Sequence, residues 1–436
     1  MAKEITIKRG LDIPLEGRSE GPVRPFRADL VGICPDDYPG CVWKCDVKPG
    51  DKVEAGTPLL HAKGSESIKL VSPVSGTVEE VRRGERRRIL AVTVRRGEGS
   101  ASSVIADTIA EKMKLSGLWA MMRQRPYDIV PADNAAPRDI FITAFDSSPL
   151  AGEVLPGHLA QYLETGIEVL KTLTTGTVYL AQRPGQGIES KTAEILYMAG
   201  PHPAGNVGVQ IAAVAPVNKG ETVWTLDAAT AARIGMLAKE GHTDYRTEVA
   251  VTGPSAVMPE QILTEIGAEL SPLLDGEVPE DKNIRVISGN VLTGVKESAE
   301  DGFLHYPYRQ ITLIPEGDTA DEFMGWASMD PMKYSIKRTF PAFLRGLGKN
   351  FNFDARIKGG HRAMILSGEL DKVFPFDIYP EYLIKAMLAG DYDRMEKLGI
   401  YEVAPEDFAL PEFVDTSKQE LQKLTRESLE KLRKDS

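Results

Sequence analysis

The chain has 436 residues, too many for a single hydrophobic core, and this length indicates roughly two to four domains. Apolar residues make up 42% and charged residues 26%, which is ordinary for a soluble globular protein. The net charge is −11, from 52 basic and 63 acidic side chains. This balance argues against a nucleic-acid-binding protein, because such binding rests on neutralising phosphates.

Targeting signals and disulfides are also not expected. The N-terminus "MAKEITIKRGLDIPLEG" has no apolar core of a signal peptide, and no apolar run approaches the ~20 residues that span a bilayer. Three cysteines do not make a disulfide framework. We therefore expect a cytoplasmic chain.

Residues 1–110 are predicted to form a β domain. Short runs such as "TPLLHA", "SIKLVSP" and "TVEEVRR" are separated by Gly- and Pro-containing turns, which is typical of a small sandwich or barrel. The order "VKPGDKVEAGTPLL…SPVSGTVEEV" is similar to that of biotinyl and lipoyl carrier domains, in which a lysine at a hairpin tip holds the cofactor. If Pro73 fixes the register, this position falls on Ser65. The sequence thus predicts a barrel-sandwich hybrid without its carrier lysine.

Residues 111–250 are predicted to form a Rossmann-like α/β domain. Strand "RDIFITAF", helix "GHLAQYLETGIEVLKTLTTG" and strand "TVYLA" follow one another, and "AEILYMA" and "VGVQIAAVAPV" are interpreted as further strands. A second helix, "DAATAARIGMLAKEG", begins at a carboxylate and has Gly241 just past its end. This alternation favours a mostly parallel, doubly wound sheet. No Gly-x-Gly-x-x-Gly follows the first strand, where "FITAFDSSPLAG" stands, so a nucleotide loop is not expected.

Two further units complete the chain. Residues 251–350 are predicted to be β-grasp-like, in the manner of SLBB domains, with helix "PEQILTEIGAEL" packed over strands that include "NIRVISGNVLTG". Residues 351–436 are predicted to be mostly helical. In the last helix Leu421, Leu424, Leu429 and Leu432 share one face, and we expect that face to pack on its own domain.

The cysteines offer a weak signal for a metal site. Cys34, Cys41 and Cys45 lie close together, and His61 is in an adjacent predicted strand. A metal or cluster site would favour a Cys-x-x-Cys pair and a fourth ligand. We therefore expect these residues to be small buried side chains and predict no metal site.

Two other motifs have open interpretations. His202 lies in "GPHPAG", and no Ser, Cys or acidic partner stands at a recognisable spacing, so a rigid turn is favoured over catalysis. The basic run Arg82–Arg88 is predicted to cap a hairpin. It could bind an acidic partner or lipid headgroups, or be a solvated tip neutralised by Glu79 and Glu80.

Six motifs in register resemble one family. They are "ITIKRGLDIPLEG", "SPVSGTVEEVRRGERR", "SGLWAMMRQRPYDIVP", "FITAFDSSPLA", "GPHPAGNVGVQI" and "RVISGNVLTG". Together they resemble the A subunit of the bacterial Na+-translocating NADH:quinone oxidoreductase. The resemblance implies a peripheral protein on the cytoplasmic face of the inner membrane. Its partners would be the B to F subunits of the complex, chiefly the membrane-embedded B subunit.

The resemblance also implies where the chemistry lies. The complex passes electrons from NADH through flavins and iron–sulfur centres to ubiquinone and exports Na+, and none of these redox cofactors is assigned to this subunit. No catalytic or cofactor-binding residue is therefore expected on this chain, which would serve assembly and quinone binding. Two loops combine aromatic and polar side chains suited to a quinone; their candidate residues are Tyr38, Trp43, Trp119, Arg125 and Tyr127.

Two alternatives remain open from the sequence. One is an independent small-molecule binding module that uses the β-grasp domain. The other is a stand-alone redox enzyme with a flavin or a cysteine-bound metal.

Overall fold

The computed structural model describes residues 3–278, 283–318, 330–336, 341 and 349–435. The strands are β1 (Lys3–Thr6), β2 (Val23–Pro25), β3 (Leu30–Ile33), β4 (Trp43–Cys45), β5 (Lys52–Val53), β6 (Pro58–Ala62), β7 (Ser65–Val71), β8 (Gly76–Arg83), β9 (Ile89–Arg96), β10 (Arg123–Arg125), β11 (Ile140–Thr143), β12 (Val178–Gln182), β13 (Glu194–Ala199), β14 (Val223–Asp227), β15 (Arg246–Thr252), β16 (Glu260–Glu265), β17 (Ile284–Ser288), β18 (Val295–Glu297) and β19 (Gln310–Pro315). The helices are α1 (Ile109–Leu115), α2 (Leu163–Thr172), α3 (Val207–Val214), α4 (Ala228–Glu240), α5 (Leu270–Leu273), α6 (Pro380–Ala389), α7 (Tyr392–Lys397), α8 (Ala409–Val414) and α9 (Leu421–Asp435).

The carrier-like sandwich consists of two antiparallel sheets with strand orders β3-β9-β8-β5 and β4-β6-β7. In the hairpin β6–β7, Ala62 pairs with Ser65, so the turn is Lys63-Gly64. Gly64 has φ 87°, a left-handed conformation that glycine adopts readily. The predicted tip position at Ser65 is therefore wrong, because β7 continues back to that residue and a lysine, Lys63, stands at the tip.

The central sheet has six strands in the order β1-β13-β12-β11-β14-β10. All neighbours are parallel except β10 and β14. On β11, Ile140 and Ile142 pack in one hydrophobic cluster with residues of α2 and α4. Phe141 packs in a second cluster with residues of α3 and the C-terminal helices. The alternation places helices on both faces of the sheet, as the doubly wound prediction requires.

The predicted strand "VGVQIAAVAPV" is wrong, because its first eight residues form α3 (Val207–Val214). Periodicity cannot separate a short, continuously apolar strand from a buried helix. The topology decides in favour of a helix: β13 and β14 run in the same direction within the sheet, and parallel strands need a crossover connection between them.

The third sheet has the order β18-β17-β19-β15-β16-β2. The predicted helix "PEQILTEIGAEL" is wrong, because Glu260–Glu265 forms β16, antiparallel to β15. Ile262 and Thr264 are both fully buried and lie two residues apart, which is the spacing of one face of a strand. The only helix that follows in the described part of this unit before β17 is the short α5.

The N-terminal segment joins the units together. Strand β1 pairs with β13 in the central sheet, and β2 pairs with β16 in the third sheet. The boundary at residue 110 stays a prediction, but residues 3–25 contribute strands to two sheets outside the carrier-like sandwich. A small domain with its own closed core would not share its first strands in this way.

From Pro380 onward the chain is mostly helical, and its last helix packs on the chain itself, as predicted. Leu421, Leu429 and Leu432 of α9 are buried in the cluster that contains Phe141, and Leu424 packs against it. Arg426 of α9 also donates to the main-chain carbonyl oxygens of Tyr127 and Asp128. In the described ranges no helix is both long and apolar enough to cross a membrane.

Helices α2 and α4 touch at two glycines. A Cβ on Gly166 would lie 1.8 Å from the carbonyl oxygen of Ala231, and a Cβ on Gly235 would lie 2.0 Å from that of Tyr162. We expect Gly166→Ala to lower the free energy of unfolding by about 3 kcal/mol, because the added methyl group separates the helices even though alanine is the better helix former. Urea unfolding followed by circular dichroism measures the change.

Gly157→Ala is the matched control, because a Cβ at Gly157 meets nothing within 4 Å. Its free energy of unfolding should change by no more than about 0.5 kcal/mol. An unaltered unfolding midpoint for Gly166→Ala would contradict the close approach of the two helices.

Candidate functional site

A cavity of about 510 Å³ opens at the carboxyl ends of β11 and β14. We call it the switch-point cavity; the sheet lines it with Thr143, Phe145, Asp146, Thr225, Leu226 and Asp227. From β11 the chain adds β12 and β13 on one side, and then returns to add β14 on the other side. Such a reversal of strand order opens a crevice, which is the usual ligand site of doubly wound sheets.

The loop after β11 fills the place of a phosphate-binding loop. Phe145 is buried, and the backbone N–H of Ser148 donates to Asp146 Oδ1 at 2.7 Å. A dinucleotide loop needs glycines so that the pyrophosphate can approach the backbone. Here a phenyl ring and a carboxylate stand instead, and the carboxylate would repel a phosphate.

The loop after β14 contributes a buried ion pair. Asp227 Oδ2 lies 2.5 Å from Arg309 Nη2, and Asp227 Oδ1 accepts from the backbone N–H of Thr230 at the start of α4 at 2.7 Å. Burial alone would raise the pKa of Asp227, but Arg309 and the Thr230 hydrogen bond hold it below its usual value. Asp227 therefore stays charged and anchors Arg309 at the cavity wall.

Tyr306 forms the wall between the sheet and the carrier-like sandwich. Its hydroxyl donates to the carbonyl oxygen of Met121 at 2.8 Å, and its ring stacks on Tyr38 at 5.4 Å between centroids. The Arg123 guanidinium lies 5.9 Å from the centre of the Tyr306 ring. Burial raises the pKa of Tyr306 to about 12, so its side chain is a neutral phenol at neutral pH.

None of the five predicted quinone residues lies on the cavity surface. Tyr38 stacks on the back of Tyr306, and Trp43 Nε1 donates to the carbonyl oxygen of Tyr38 at 3.2 Å. Trp119 is buried and donates to the carbonyl oxygen of Pro131 at 2.9 Å. Their role with quinone stays a prediction. Their neighbours Met121, Arg123 and Asp128 line the cavity directly.

The other two predicted residues contact the C-terminal region. The ring of Tyr127 packs edge-on against Tyr401 at 6.1 Å. Arg125, which is 2% exposed, lies 2.7 Å from Glu406 and 3.2 Å from Asp407. Burial raises the pKa of Asp407, and the Arg125 charge opposes that rise. Arg125 thus holds two carboxyl groups of the short 3-10 helix Pro405–Phe408 against the edge of the sheet.

His202 has partners that spacing along the chain could not reveal. Its Nδ1 lies 3.0 Å from Ser147 Oγ, which also accepts from the backbone N–H of Gly205 at 2.8 Å. The backbone N–H of His202 donates to Asp12 at 2.9 Å. Burial lowers the pKa of His202, so the neutral ring can accept from the serine. These bonds tie "GPHPAG" to the loop after β11, which agrees with the rigid-turn interpretation.

The Arg82–Arg88 run lies at the β8–β9 turn, as predicted, and most of it is exposed. Arg82 lies 3.1 Å from Glu80, and Arg88 lies 2.5 Å from Asp36. This surface lies outside the switch-point cavity, except that Asp36 contributes to both.

We expect Arg125→Gln to lower the free energy of unfolding by about 3–5 kcal/mol, because Asp407, with no exposed side-chain surface, would keep a buried charge without its partner. Arg88→Gln is the control, since Arg88 and Asp36 are 66% and 50% exposed and such pairs contribute about 1 kcal/mol or less. Urea unfolding measures both variants. Equal changes would contradict a structural role for the buried arginine.

Family models cover most of the chain. Residues 5–96 match the NqrA N-terminal barrel-sandwich hybrid domain, residues 104–243 match the NqrA second alpha/beta domain, and residues 248–299 match the SLBB model described as the NQRA C-terminal domain. These matches confirm the predicted fold class of carrier-like sandwich, Rossmann-like domain and SLBB-like unit. One solved structure, an air-oxidised NAD+-reducing [NiFe]-hydrogenase, aligns with a TM-score of 0.33 at 12% identity over 69% of this chain and 60% of that chain, which is too distant to carry an argument.

Curated relatives match along nearly the whole length. The Na(+)-translocating NADH-quinone reductase A subunit of Pasteurella multocida is 34% identical over 99% of this chain and 100% of that protein. The corresponding protein of Vibrio anguillarum is 33% identical over the same shares, and that of Rhodopirellula baltica is 35% identical over 97% and 96%. Identity at this level over full length, together with the three domain matches, shows that the chain belongs to the NqrA family, the A subunits of the Na(+)-translocating NADH-quinone reductase.

Proposed function

We propose that this chain is a peripheral subunit of a membrane complex that oxidises NADH, reduces ubiquinone to ubiquinol and exports Na+. Its own contribution is assembly of the complex and binding of quinone in the switch-point cavity. Flavins, iron–sulfur centres and the NADH site then belong to other subunits. At the cytoplasmic face, the chain docks chiefly on the membrane-embedded B subunit. The names of its full-length relatives support the role in the complex.

The charge of the cavity supports a neutral ligand rather than a dinucleotide. Carboxylates outnumber guanidinium groups among the lining residues; the acids are Asp36, Asp37, Asp128, Asp146, Asp227 and Glu406, and the arginines are Arg123, Arg309 and Arg426. Each of these arginines already binds protein oxygens: Arg309 pairs with Asp227, Arg426 pairs with Asp128, and Arg123 donates to main-chain carbonyl oxygens. A pyrophosphate would therefore have to displace one of these partners, whereas a quinone ring carries no charge and needs no such exchange. A switch-point cavity whose lining arginines are engaged by the protein is the observation that carries the proposal.

The cavity also has the mixture of surfaces that a quinone head requires. Met121, Phe145, Leu226 and Leu292 offer apolar contact for the ring. Ser148 Oγ and Arg309 Nε are buried and have no hydrogen-bond partner within the described residues, and both residues line the cavity. Buried polar atoms are rarely left unpaired. A quinone carbonyl oxygen could accept from either group.

The five residues predicted from the sequence fit this site as its supporting layer. Tyr38 holds Tyr306 by stacking, and Trp119 and Arg125 flank the strand end that presents Met121 and Arg123. Binding residues depend on such a layer to keep their orientation. We therefore propose that Tyr38, Trp43, Trp119, Arg125 and Tyr127 act on quinone through the residues in front of them.

We expect the purified chain to bind a short-chain ubiquinone saturably and NADH not at all, measured by isothermal titration calorimetry. Leu292→Trp should weaken ubiquinone binding at least about tenfold, because the larger ring occupies the cavity and removes the space for the head group. A tenfold loss corresponds to about 1.4 kcal/mol.

Leu90→Trp is the matched control, because Leu90 is exposed on the β8–β9 hairpin and lies outside the cavity. It should leave the affinity for ubiquinone unchanged. Tight NADH binding, or equal affinities in the two tryptophan variants, would contradict quinone binding in this cavity. Saturable binding with no association to membranes that hold the other subunits would instead favour an independent binding module.

A further inference from the structure

Three side chains that bind metals well meet at the junction of the carrier-like sandwich and the third unit. Cys34 follows β3, Asp37 lies in the short 3-10 helix Pro35–Asp37, and His305 precedes β19. One possible ligand atom from each lies within 4.8 Å of the other two. The set was not visible in the sequence, because the histidine is distant along the chain and no Cys-x-x-Cys pair marks the cysteine.

The three groups are held in place before any ligand arrives. Cys34 is 7% exposed, and the side chains of Asp37 and His305 are 10% and 11% exposed. Asp37 Oδ2 accepts from the backbone N–H of Tyr306 at 3.0 Å. The backbone N–H of His305 donates to Ser288 Oγ at 2.9 Å. Buried ligands fixed by their own hydrogen bonds lose little freedom when a metal binds.

Glu297 supplies a second, independent feature of a metal site. His305 Nε2 lies 2.7 Å from Glu297 Oε1, and His305 Nδ1 lies 2.6 Å from Asp37 Oδ1. Histidines that bind zinc through one ring nitrogen usually donate the other ring N–H to a carboxylate, a backbone carbonyl or water. Glu297 therefore orients the ring so that Nδ1 faces the oxygen of Asp37.

We propose that Cys34, Asp37 and His305 bind Zn²⁺ and thereby fasten the carrier-like sandwich to the third unit. Thiolate, carboxylate and imidazole form a ligand set that Zn²⁺ accepts, usually in tetrahedral geometry with bonds of about 2.0–2.3 Å. Those bonds separate neighbouring ligand atoms by roughly 3.3–3.6 Å. The Asp37–His305 contact opens by less than a bond length to admit the ion. The Cys34 thiol and His305 Nδ1 each release a proton to solvent, so that sulfur and nitrogen can both bind the ion, while Nε2–H stays bonded to Glu297. A water molecule from the switch-point cavity, which Asp37 also lines, completes the coordination.

The test uses Co²⁺ as a visible substitute for Zn²⁺ on the full chain after dialysis against a chelator. We expect one equivalent of Co²⁺ to produce a thiolate-to-cobalt charge-transfer band, and one equivalent of Zn²⁺ to abolish it. Cys34→Ser should lose the band. Cys41→Ser should keep it, because Cys41 is outside the cluster.

Glu297→Gln keeps a hydrogen-bonding side chain and all three ligands, so it tests the site without removing a ligand. Its affinity for Zn²⁺, measured by competition with a chromophoric chelator, should fall about 10- to 100-fold. No saturable band in the unaltered chain would overturn the proposal, and so would a band that survives in Cys34→Ser. Equal Zn²⁺ affinity in Glu297→Gln and the unaltered chain would overturn the role of Glu297 in orienting His305.

Discussion

The order of strands in the central sheet is the constraint on which the rest of this structure depends. Because β12 and β13 lie on one side of β11 and the chain then returns to place β14 on the other side, a crevice opens at the carboxyl ends of β11 and β14. The carrier-like sandwich, the third unit and the C-terminal helices all close around that crevice. Asp37, Tyr306 and Glu406 are the contributions of these three parts.

The crevice has the position of a dinucleotide site in a doubly wound sheet, but its side chains favour a different ligand. Phe145 and Asp146 stand where a dinucleotide fold has its glycine-rich loop, and Asp227 at the other wall is paired with Arg309. The lining arginines are already engaged by protein oxygens, which disfavours phosphates. The same fold can therefore bind an uncharged quinone ring, while the nucleotide chemistry of the complex is proposed to lie on other subunits.

Local sequence signals were sufficient for much of the fold. Helix α4 begins at Asp227 and ends before Gly241, as predicted, because a side-chain cap and a left-handed glycine are local properties. The segment that forms α3 was misread because a short apolar run fits a buried strand as well as a helix. The β16 segment was misread as a helix although Ile262 and Thr264, which are both buried, have the two-residue spacing of one strand face. The hairpin tip was misplaced because the prediction counted a fixed number of residues back from Pro73, and Pro73 does not determine how many residues β7 contains.

The candidate site could be predicted less well, and the reason is physical. Its residues are brought together by strand order and by packing between units, as in the contacts of Ser147 with His202 and of Asp37 with His305. No spacing along the chain encodes such pairs. Tyr38 and Trp119, chosen from the sequence, are buried and do not line the cavity. A mixture of aromatic and polar residues is found in a packed core as well as in a ligand site, so composition alone could not distinguish the two. The Arg125 cluster likewise depends on Glu406 and Asp407, which are about 280 residues away along the chain.

Photolabelling tests the central claim most directly. The chain is irradiated with a photoreactive ubiquinone analogue, and the modified peptides are located by mass spectrometry with and without excess ubiquinone. The account predicts labels that ubiquinone suppresses within residues 121–128, 143–154, 202–207, 225–227, 289–293, 306–310 and 405–406, which surround the switch-point cavity. Labels confined to other segments, or labels that NADH suppresses and ubiquinone does not, would contradict it.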